Sequence, residues 1–156
     1  MKDVHTLLDE YGESHQNSLN KAFHWICVPV ILWTIVALLW AIPFPGGIEL
    51  GNYPLNWAML ALALVQIYYF RLSFSLAIGM FAIVAVMLWL THWVTLNISL
   101  PLWQVAIGLF VIAWVGQFIG HAVEGKRPSF FKDLQFLLIG PAWLLSFVYK
   151  KAGIRY

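Results

Sequence analysis

Near the middle of the chain lies the sequence LSFSLAIGMFAIVAVMLWLTHW, residues 72–93, without a single Asp, Glu, Lys or Arg. A bilayer needs about 20 apolar residues per helix, so this run predicts a membrane-spanning helix. Between residues 22 and 123 the only charged residues are Glu49 and Arg71. The chain is 62% hydrophobic and 10% charged, against roughly 25% charged in soluble domains. This composition is typical of an integral membrane protein.

Four apolar segments are predicted to cross the membrane: residues 23–40, 55–70, 72–93 and 102–120. The second and third are separated by Arg71 alone, which predicts a tight antiparallel hairpin. A fifth segment, residues 134–149, is short and interrupted by Gly140-Pro141, so we interpret it as a re-entrant or interfacial helix, with a fifth span as the alternative. The expected fold is an all-α membrane helical bundle in one domain, with an N-terminal segment (1–21), the bundle (22–149) and a basic tail (150–156).

Loop charge predicts the orientation, because Lys and Arg concentrate on the cytoplasmic side of a membrane. With four spans, one face carries Lys2, Lys21, Arg71, Lys126, Arg127 and Lys132. The other face carries only Glu49, which predicts a cytoplasmic N-terminus. The net charge of +2 gives no argument for a nucleic-acid partner. The single cysteine, Cys27, excludes an internal disulfide and a cysteine-based zinc cluster, so any metal must have nitrogen and oxygen ligands.

A polar stripe marks the end of the fourth predicted span. At about 100° per residue, Gln117, His121 and Glu124 lie within an arc of about 60° on an otherwise apolar helix, so they should face protein and not lipid. Gly116 and Gly120 flank the stripe in a G-x-x-x-G pattern, which would let a neighbouring helix approach closely. If that neighbour is the first span, it brings a second histidine near His121. Packing alone is the alternative interpretation.

That second histidine is His24, at the cytoplasmic start of the first span, and His15 lies just before it. On one continuous helix these two would lie on opposite faces, about 13 Å apart along the axis, and could not share a metal. If the helix instead starts near Ser18, capped by Asn17 or Ser18, His15 is free to fold back. A cluster of His15, His24 and His121 then becomes available, either as a metal site or as hydrogen-bonding groups at the interface.

The remaining histidines are predicted to lie elsewhere. His92 falls at the far end of the third span, about 30 Å away, and His5 lies in the N-terminal segment. Tryptophans near the predicted span ends, including Trp143, are interpreted as an interfacial belt.

Two ordered motifs cover essentially the whole chain. The first reads Y-x-x-x-H-x-N-x-x-N-x-x-x-H and comprises Tyr11, His15, Asn17, Asn20 and His24, followed by Val28-Pro29. The second comprises Gln117, Phe118, Gly120, His121, Glu124, Lys126-Arg127-Pro128 and the later Pro141. Together they resemble the 2-hydroxy fatty acid dioxygenase family of small membrane proteins.

The resemblance implies fatty-acid α-oxidation, in which an iron(II)-dependent enzyme uses O2 to cleave the C1–C2 bond of a long-chain 2-hydroxy fatty acid dissolved in the lipid bilayer. The implied iron ligands are His15, His24 and His121. Glu124 would be a fourth ligand or a carboxylate that orients one of them. The other implied roles are hydrogen-bond partners of the site for Gln117 and Asn20, and pairing with the substrate carboxylate for Lys21 and Arg127.

Other function classes remain open at this point. The main alternative is a non-catalytic lipid-binding or assembly protein whose histidine face binds headgroups. Lipid hydroxylases and desaturases typically carry paired H-x-x-H or H-x-x-x-H motifs, and this chain has none. A bacterial inner membrane is favoured as the location, or the endoplasmic reticulum membrane if the chain is eukaryotic. The substrate chain length and the formation of a homo-oligomer are left open.

Overall fold

The computed structural model describes residues 3–51, 53–125 and 130–156, with no side chains described for 130–136. Within these residues the chain forms six helices and one short β-hairpin. In chain order the elements are α1 (Val4–Gly12), α2 (Ser18–Ala41), β1 (Glu49–Leu50), β2 (Tyr53–Pro54), α3 (Trp57–Leu72), α4 (Phe74–Asn97), α5 (Leu102–Glu124) and α6 (Phe130–Ala152). The two strands pair antiparallel, with Leu50 opposite Tyr53. The structure confirms the predicted all-α membrane helical bundle.

Three of the described helices, α2, α4 and α5, are long and apolar enough to cross a membrane by length and composition. Helix α3, which forms the second predicted span, is apolar but has 16 residues, or about 24 Å at 1.5 Å per residue. Capping residues limit the length of α3. Asn56 caps its start, and Ser73 is both the residue at which α3 ends and the N-cap of α4. The oxygen of Ser73 accepts a hydrogen bond from the backbone N–H of Leu76. The predicted hairpin is therefore closed by a single residue.

The closest helix pair in the bundle is α2 with α5, and two glycines of α5 explain it. A Cβ placed on Gly116 would lie 2.7 Å from Sγ of Cys27, and one on Gly120 would lie 2.6 Å from Oδ1 of Asn20. Neither position has room for a side chain, so side chains of α2 pack directly against the backbone of α5. The G-x-x-x-G pattern thus joins the first and fourth predicted spans and sets His24 beside the end of α5.

Helix α6 continues through Gly140-Pro141, so the predicted interruption there is wrong. A proline removes one backbone hydrogen bond and crowds the preceding turn, which a neighbouring helix can compensate in a membrane protein. The carbonyl that loses its helical donor is that of Leu137, four residues before Pro141. The hydroxyl of Tyr69 donates a hydrogen bond of 2.6 Å to the next carbonyl oxygen, that of Leu138, and so ties this turn of α6 to α3. Farther along, Tyr149 donates to the carbonyl oxygen of Ser75 at the start of α4. These two contacts join α6 to the end of α3 and the start of α4, and its interfacial position stays a prediction.

The N-terminal segment contains the short helix α1, which is part of the core. Its apolar face, formed by Val4, Leu7, Leu8 and Tyr11, is buried in one cluster with the middle of α6. Asp3 caps its start by accepting a hydrogen bond from the backbone N–H of His5. Because α1 is held against α6, the turn that follows it is held over the start of α2.

Candidate metal centre

Three histidines from three separate segments meet at one end of the bundle. His15 lies in the turn between α1 and α2, His24 in the second turn of α2, and His121 in the last turn of α5. Their ring centroids are 4.2 Å apart for His15 and His24, 5.3 Å for His15 and His121, and 5.1 Å for His24 and His121. One ring nitrogen from each lies within 4.8 Å of the others. Among the described residues this is the one group of histidine, cysteine or acidic side chains with metal-binding spacing.

Backbone carbonyls determine which nitrogen of two of these rings carries the hydrogen. Nδ1 of His15 donates to the carbonyl oxygen of Tyr11, and Nδ1 of His24 donates to that of Asn20 at 2.9 Å. A carbonyl only accepts, so in each neutral ring Nε2 is left with a lone pair. Those two Nε2 atoms face each other at 2.8 Å. Two lone pairs at this distance repel unless a cation lies beside both.

The geometry fits a shared metal ion. Two nitrogens bound to one ion at about 2.1 Å each, at a right angle, lie about 3 Å apart, close to the 2.8 Å between His15 and His24. The alternative is a proton shared between the rings, which would leave a charge in a buried site. Nδ1 of His121 is buried and has no hydrogen-bond partner within the described residues. His121 also offers a ring nitrogen within 4.8 Å of those of His15 and His24, which is a third donor for such an ion.

Glu124 holds the turn that carries His15. Its carboxylate accepts hydrogen bonds from the backbone N–H groups of Gln16 and Asn17, each at 2.9 Å, and from Nδ2 of Asn20 at 3.0 Å. Asn17 in turn caps α2 by accepting from the N–H of Leu19. The end of α5, the turn and the start of α2 are thereby tied together around the histidines. This arrangement supports the orienting alternative for Glu124.

Aromatic side chains cover the opposite side of the cluster. The ring of Tyr11 stacks on His15 with a centroid distance of 4.3 Å and an angle of 11° between the planes. Trp143 of α6 lies 5.4 Å from His15 and 5.3 Å from Tyr11, and it is 6% exposed. The interpretation of Trp143 as part of the interfacial belt is therefore wrong, since it is buried against the site. By contrast, Trp103 is 51% exposed, as a belt residue should be.

Burial and charge keep His15 ready to bind a metal. Burial lowers the pKa of His15, and the nearby His121 and Lys21 lower it further, against opposing effects of the hydrogen bond to the Tyr11 carbonyl and of Glu124. A lowered pKa means that the ring is neutral near pH 7. Neutral imidazole is the form that binds metal ions.

With this geometry established, comparison with known proteins identifies the lineage. A family model described as 2-hydroxy-palmitic acid dioxygenase Mpo1-like matches residues 1–152. The chain belongs to the Mpo1-like family. It is 31% identical over 151 residues to the 2-hydroxy-palmitic acid dioxygenase MPO1 of Saccharomyces cerevisiae, a match that covers 95% of this chain and 81% of that relative. No solved structure matches the chain. Membership of the family agrees with the resemblance inferred from the two motifs.

The other predicted site residues of this Mpo1-like chain have different positions. Lys21 lies in the first turn of α2, near enough for its charge to act on His15. Gln117 is buried on α5, one turn before His121. Arg127 lies outside the described residues.

The two histidines expected to lie elsewhere do so. His92 packs against Trp40 and Tyr53, and Trp40 is about 24 Å from His24 along α2. His5 lies against Tyr156. Neither belongs to the histidine cluster.

Sequence reasoning missed Tyr11 and Trp143 as neighbours of the site. The spacing of Tyr11 four residues before His15 was a usable signal, because one helical turn places the Tyr11 carbonyl near the following turn. The sequence contains no comparable signal for Trp143, which reaches His15 only through the packing of α6 on α1.

Proposed function

We propose that this chain is an iron(II)-dependent dioxygenase that cleaves the C1–C2 bond of long-chain 2-hydroxy fatty acids. The product is a fatty acid shorter by one carbon. One 2-hydroxy fatty acid and one O2 would give one shortened fatty acid, one CO2 and one water. The carboxyl carbon leaves as the CO2, and O2 is the oxidant. Membership of the Mpo1-like family supports the class of substrate and reaction.

The observation that carries the metal part of the proposal is the pair of facing Nε2 atoms of His15 and His24. Together with a ring nitrogen of His121 they offer three neutral nitrogen donors, a set suited to iron(II). Zinc would also accept such donors but has no redox chemistry to offer O2. When bound, iron(II) would supply a redox-active Lewis acid with open positions for O2 and for the substrate's carboxylate and 2-hydroxyl groups.

The protein would supply orientation and charge. In this proposal Glu124 keeps His15 in place by binding the backbone of the His15 turn. Asn20 supports the same contact through its amide nitrogen. Lys21, and Arg127 beyond the described residues, would attract the substrate carboxylate at the membrane face. Gln117 would provide a hydrogen-bonding group on the side of the cluster that faces the membrane interior.

The site's position suits a lipid substrate. The three histidines lie at the end of two helices that are long and apolar enough to cross a membrane. A fatty acid dissolved in the bilayer could place its polar head at this end while its acyl chain stays among apolar side chains. Tyr11 and Trp143 would shield one side of the cluster from water.

The test compares iron content and turnover in detergent-purified protein. We expect about one iron per chain after anaerobic loading of the wild type, measured by mass spectrometry, with O2 consumption on addition of 2-hydroxypalmitate. His15→Ala, His24→Ala and His121→Ala should each lose most of the iron and the turnover. His92→Ala is the matched control, because it removes a histidine at the other end of the bundle. A wild type without iron, or a His121→Ala variant with full iron content and turnover, would refute the proposal and favour the non-catalytic alternative.

A further inference from the structure

One buried amide beside the histidines has an unused hydrogen-bonding atom. Gln117 is 6% exposed, and its Oε1 has no hydrogen-bond partner within the described residues. The large majority of buried side-chain polar atoms in proteins have a hydrogen-bond partner, so such an atom calls for a physical explanation. On α5 it lies four residues before His121, which places the two side chains on the same face one turn apart.

The contacts of α5 with α2 give the level of this glutamine along the bundle. Gly116, the residue before it, lies against Cys27, and Gly120 lies against Asn20. Gln117 lies between Gly116 and Gly120 on α5. His24 lies between Asn20 and Cys27, the residues of α2 that those two glycines contact. The amide of Gln117 is therefore level with His24, on the side of the cluster toward the membrane interior.

Oδ1 of Asn20 is also buried without a hydrogen-bond partner, but the reason is different. Nδ2 of Asn20 donates to Glu124 and to the carbonyl oxygen of Ser14, which fixes the orientation of that amide. Oδ1 of Asn20 is thereby directed at the Cα side of Gly120, where it is packed against α5. Oε1 of Gln117 has no hydrogen-bond partner among the described residues, and no contact with a glycine of the facing helix accounts for it.

We propose that Gln117 hydrogen-bonds the 2-hydroxyl group of the substrate and is the residue that distinguishes a 2-hydroxy fatty acid from an unsubstituted one. This inference rests on the proposed function. A substrate with its carboxylate toward Lys21 and its acyl chain toward the membrane interior has C2 between the two, at the level of the cluster. A hydroxyl whose oxygen lone pair is used elsewhere still has a hydrogen to donate to Oε1. An unsubstituted fatty acid would leave that oxygen unpaired, which is the basis of strong discrimination for hydroxyl-bearing ligands.

The experiment measures binding without turnover. Iron(II)-loaded protein in detergent, kept free of O2, is titrated with 2-hydroxypalmitate and separately with palmitate, and the ratio of the two dissociation constants gives the preference. In Gln117→Leu we expect iron content equal to wild type and a preference reduced about tenfold. The reduction should come from weaker binding of 2-hydroxypalmitate, with palmitate binding unchanged. Gln66→Leu is the matched control, because Gln66 is another buried glutamine with an unpartnered Oε1, on α3.

The outcomes separate this inference from the function on which it rests. An unchanged preference in Gln117→Leu, with iron bound, overturns the role of Gln117 and leaves the dioxygenase proposal standing. If Gln117→Leu does not fold, Gln117→Met, which keeps the length of the side chain, is measured in the same way. Loss of iron in both variants would assign Gln117 to the metal site and overturn its assignment to the hydroxyl. A wild type that binds no iron overturns the proposed function, and this inference with it.

Discussion

Adding one methyl group at Gly120 should open the contact between α2 and α5 beside the histidines. In Gly120→Ala the new Cβ would lie 2.6 Å from Oδ1 of Asn20 and 3.3 Å from Cβ of Phe23. An ordinary contact of 3.4 Å requires the oxygen to move by about 0.8 Å. Asn20 is not free to turn away, because its amide nitrogen is bonded to Glu124. The strain must therefore move either the α2 backbone or the Asn20–Glu124 contact.

The size of the effect follows from overpacking. Extra methyl groups in a well-packed interior cost about 1–3 kcal/mol, and each 1.4 kcal/mol is about a factor of ten in binding. His121 is the next residue on α5, and His24 is one turn along α2 from Asn20. We expect iron(II) affinity to fall by about tenfold or more, because the displaced helices carry two of the three proposed ligands.

The assay is an anaerobic iron(II) titration of detergent-purified protein, with thermal unfolding measured on the same samples. Gly108→Ala is the matched control, since it adds the same methyl group to α5 at a position with nothing within 4 Å. Gly108→Ala should bind iron as the wild type does. A Gly120→Ala protein with wild-type iron affinity and turnover would refute the argument that this close contact positions the histidines.

Three further predictions concern the surroundings of the site. Glu124→Gln should weaken iron binding about tenfold and speed hydrogen exchange at the amides of Gln16 and Asn17, because a neutral amide accepts these bonds less strongly than a carboxylate. Gly140→Ala should weaken iron binding several-fold in the same titration, because its Cβ would lie 2.9 Å from the hydroxyl of Tyr11, the residue stacked on His15. Removal of iron with a chelator should lower the melting temperature, and readdition of iron(II) at about 100 times its dissociation constant should restore about 2.7 kcal/mol.

Each of these has a result that counts against it. Unchanged amide exchange in Glu124→Gln would mean that the carboxylate does not hold the turn. Wild-type iron affinity in Gly140→Ala would mean that the contact between α6 and Tyr11 does not reach the site. A melting temperature independent of iron would contradict binding to the folded state.

Much of the architecture follows from local properties of the chain. The absence of charge over residues 72–93 predicts a buried apolar helix wherever the rest of the chain goes, because hydrocarbon excludes charged groups. Asn17 and Ser18 could likewise be nominated as caps of α2, since a capping side chain acts within its own turn, although the sequence left open whether the helix began there. The continuity of α6 through Pro141 could not, because it occurs in a helix held by contacts from other helices, among them the hydrogen bond from Tyr69 to the Leu138 carbonyl.

The candidate site, too, was determined partly by local sequence and partly by contacts between helices. Residue types and the polar stripe on α5 nominated His15, His24 and His121, but nine residues between the first two allowed either a continuous helix that separates them or a turn that joins them. The choice depended on contacts between segments that are far apart in the sequence. Glu124 binds the backbone of the turn at Gln16, and the glycines of α5 let α2 come close. Sequence periodicity reports which side of one helix is polar, whereas the distance between two helices is set by the packing of both.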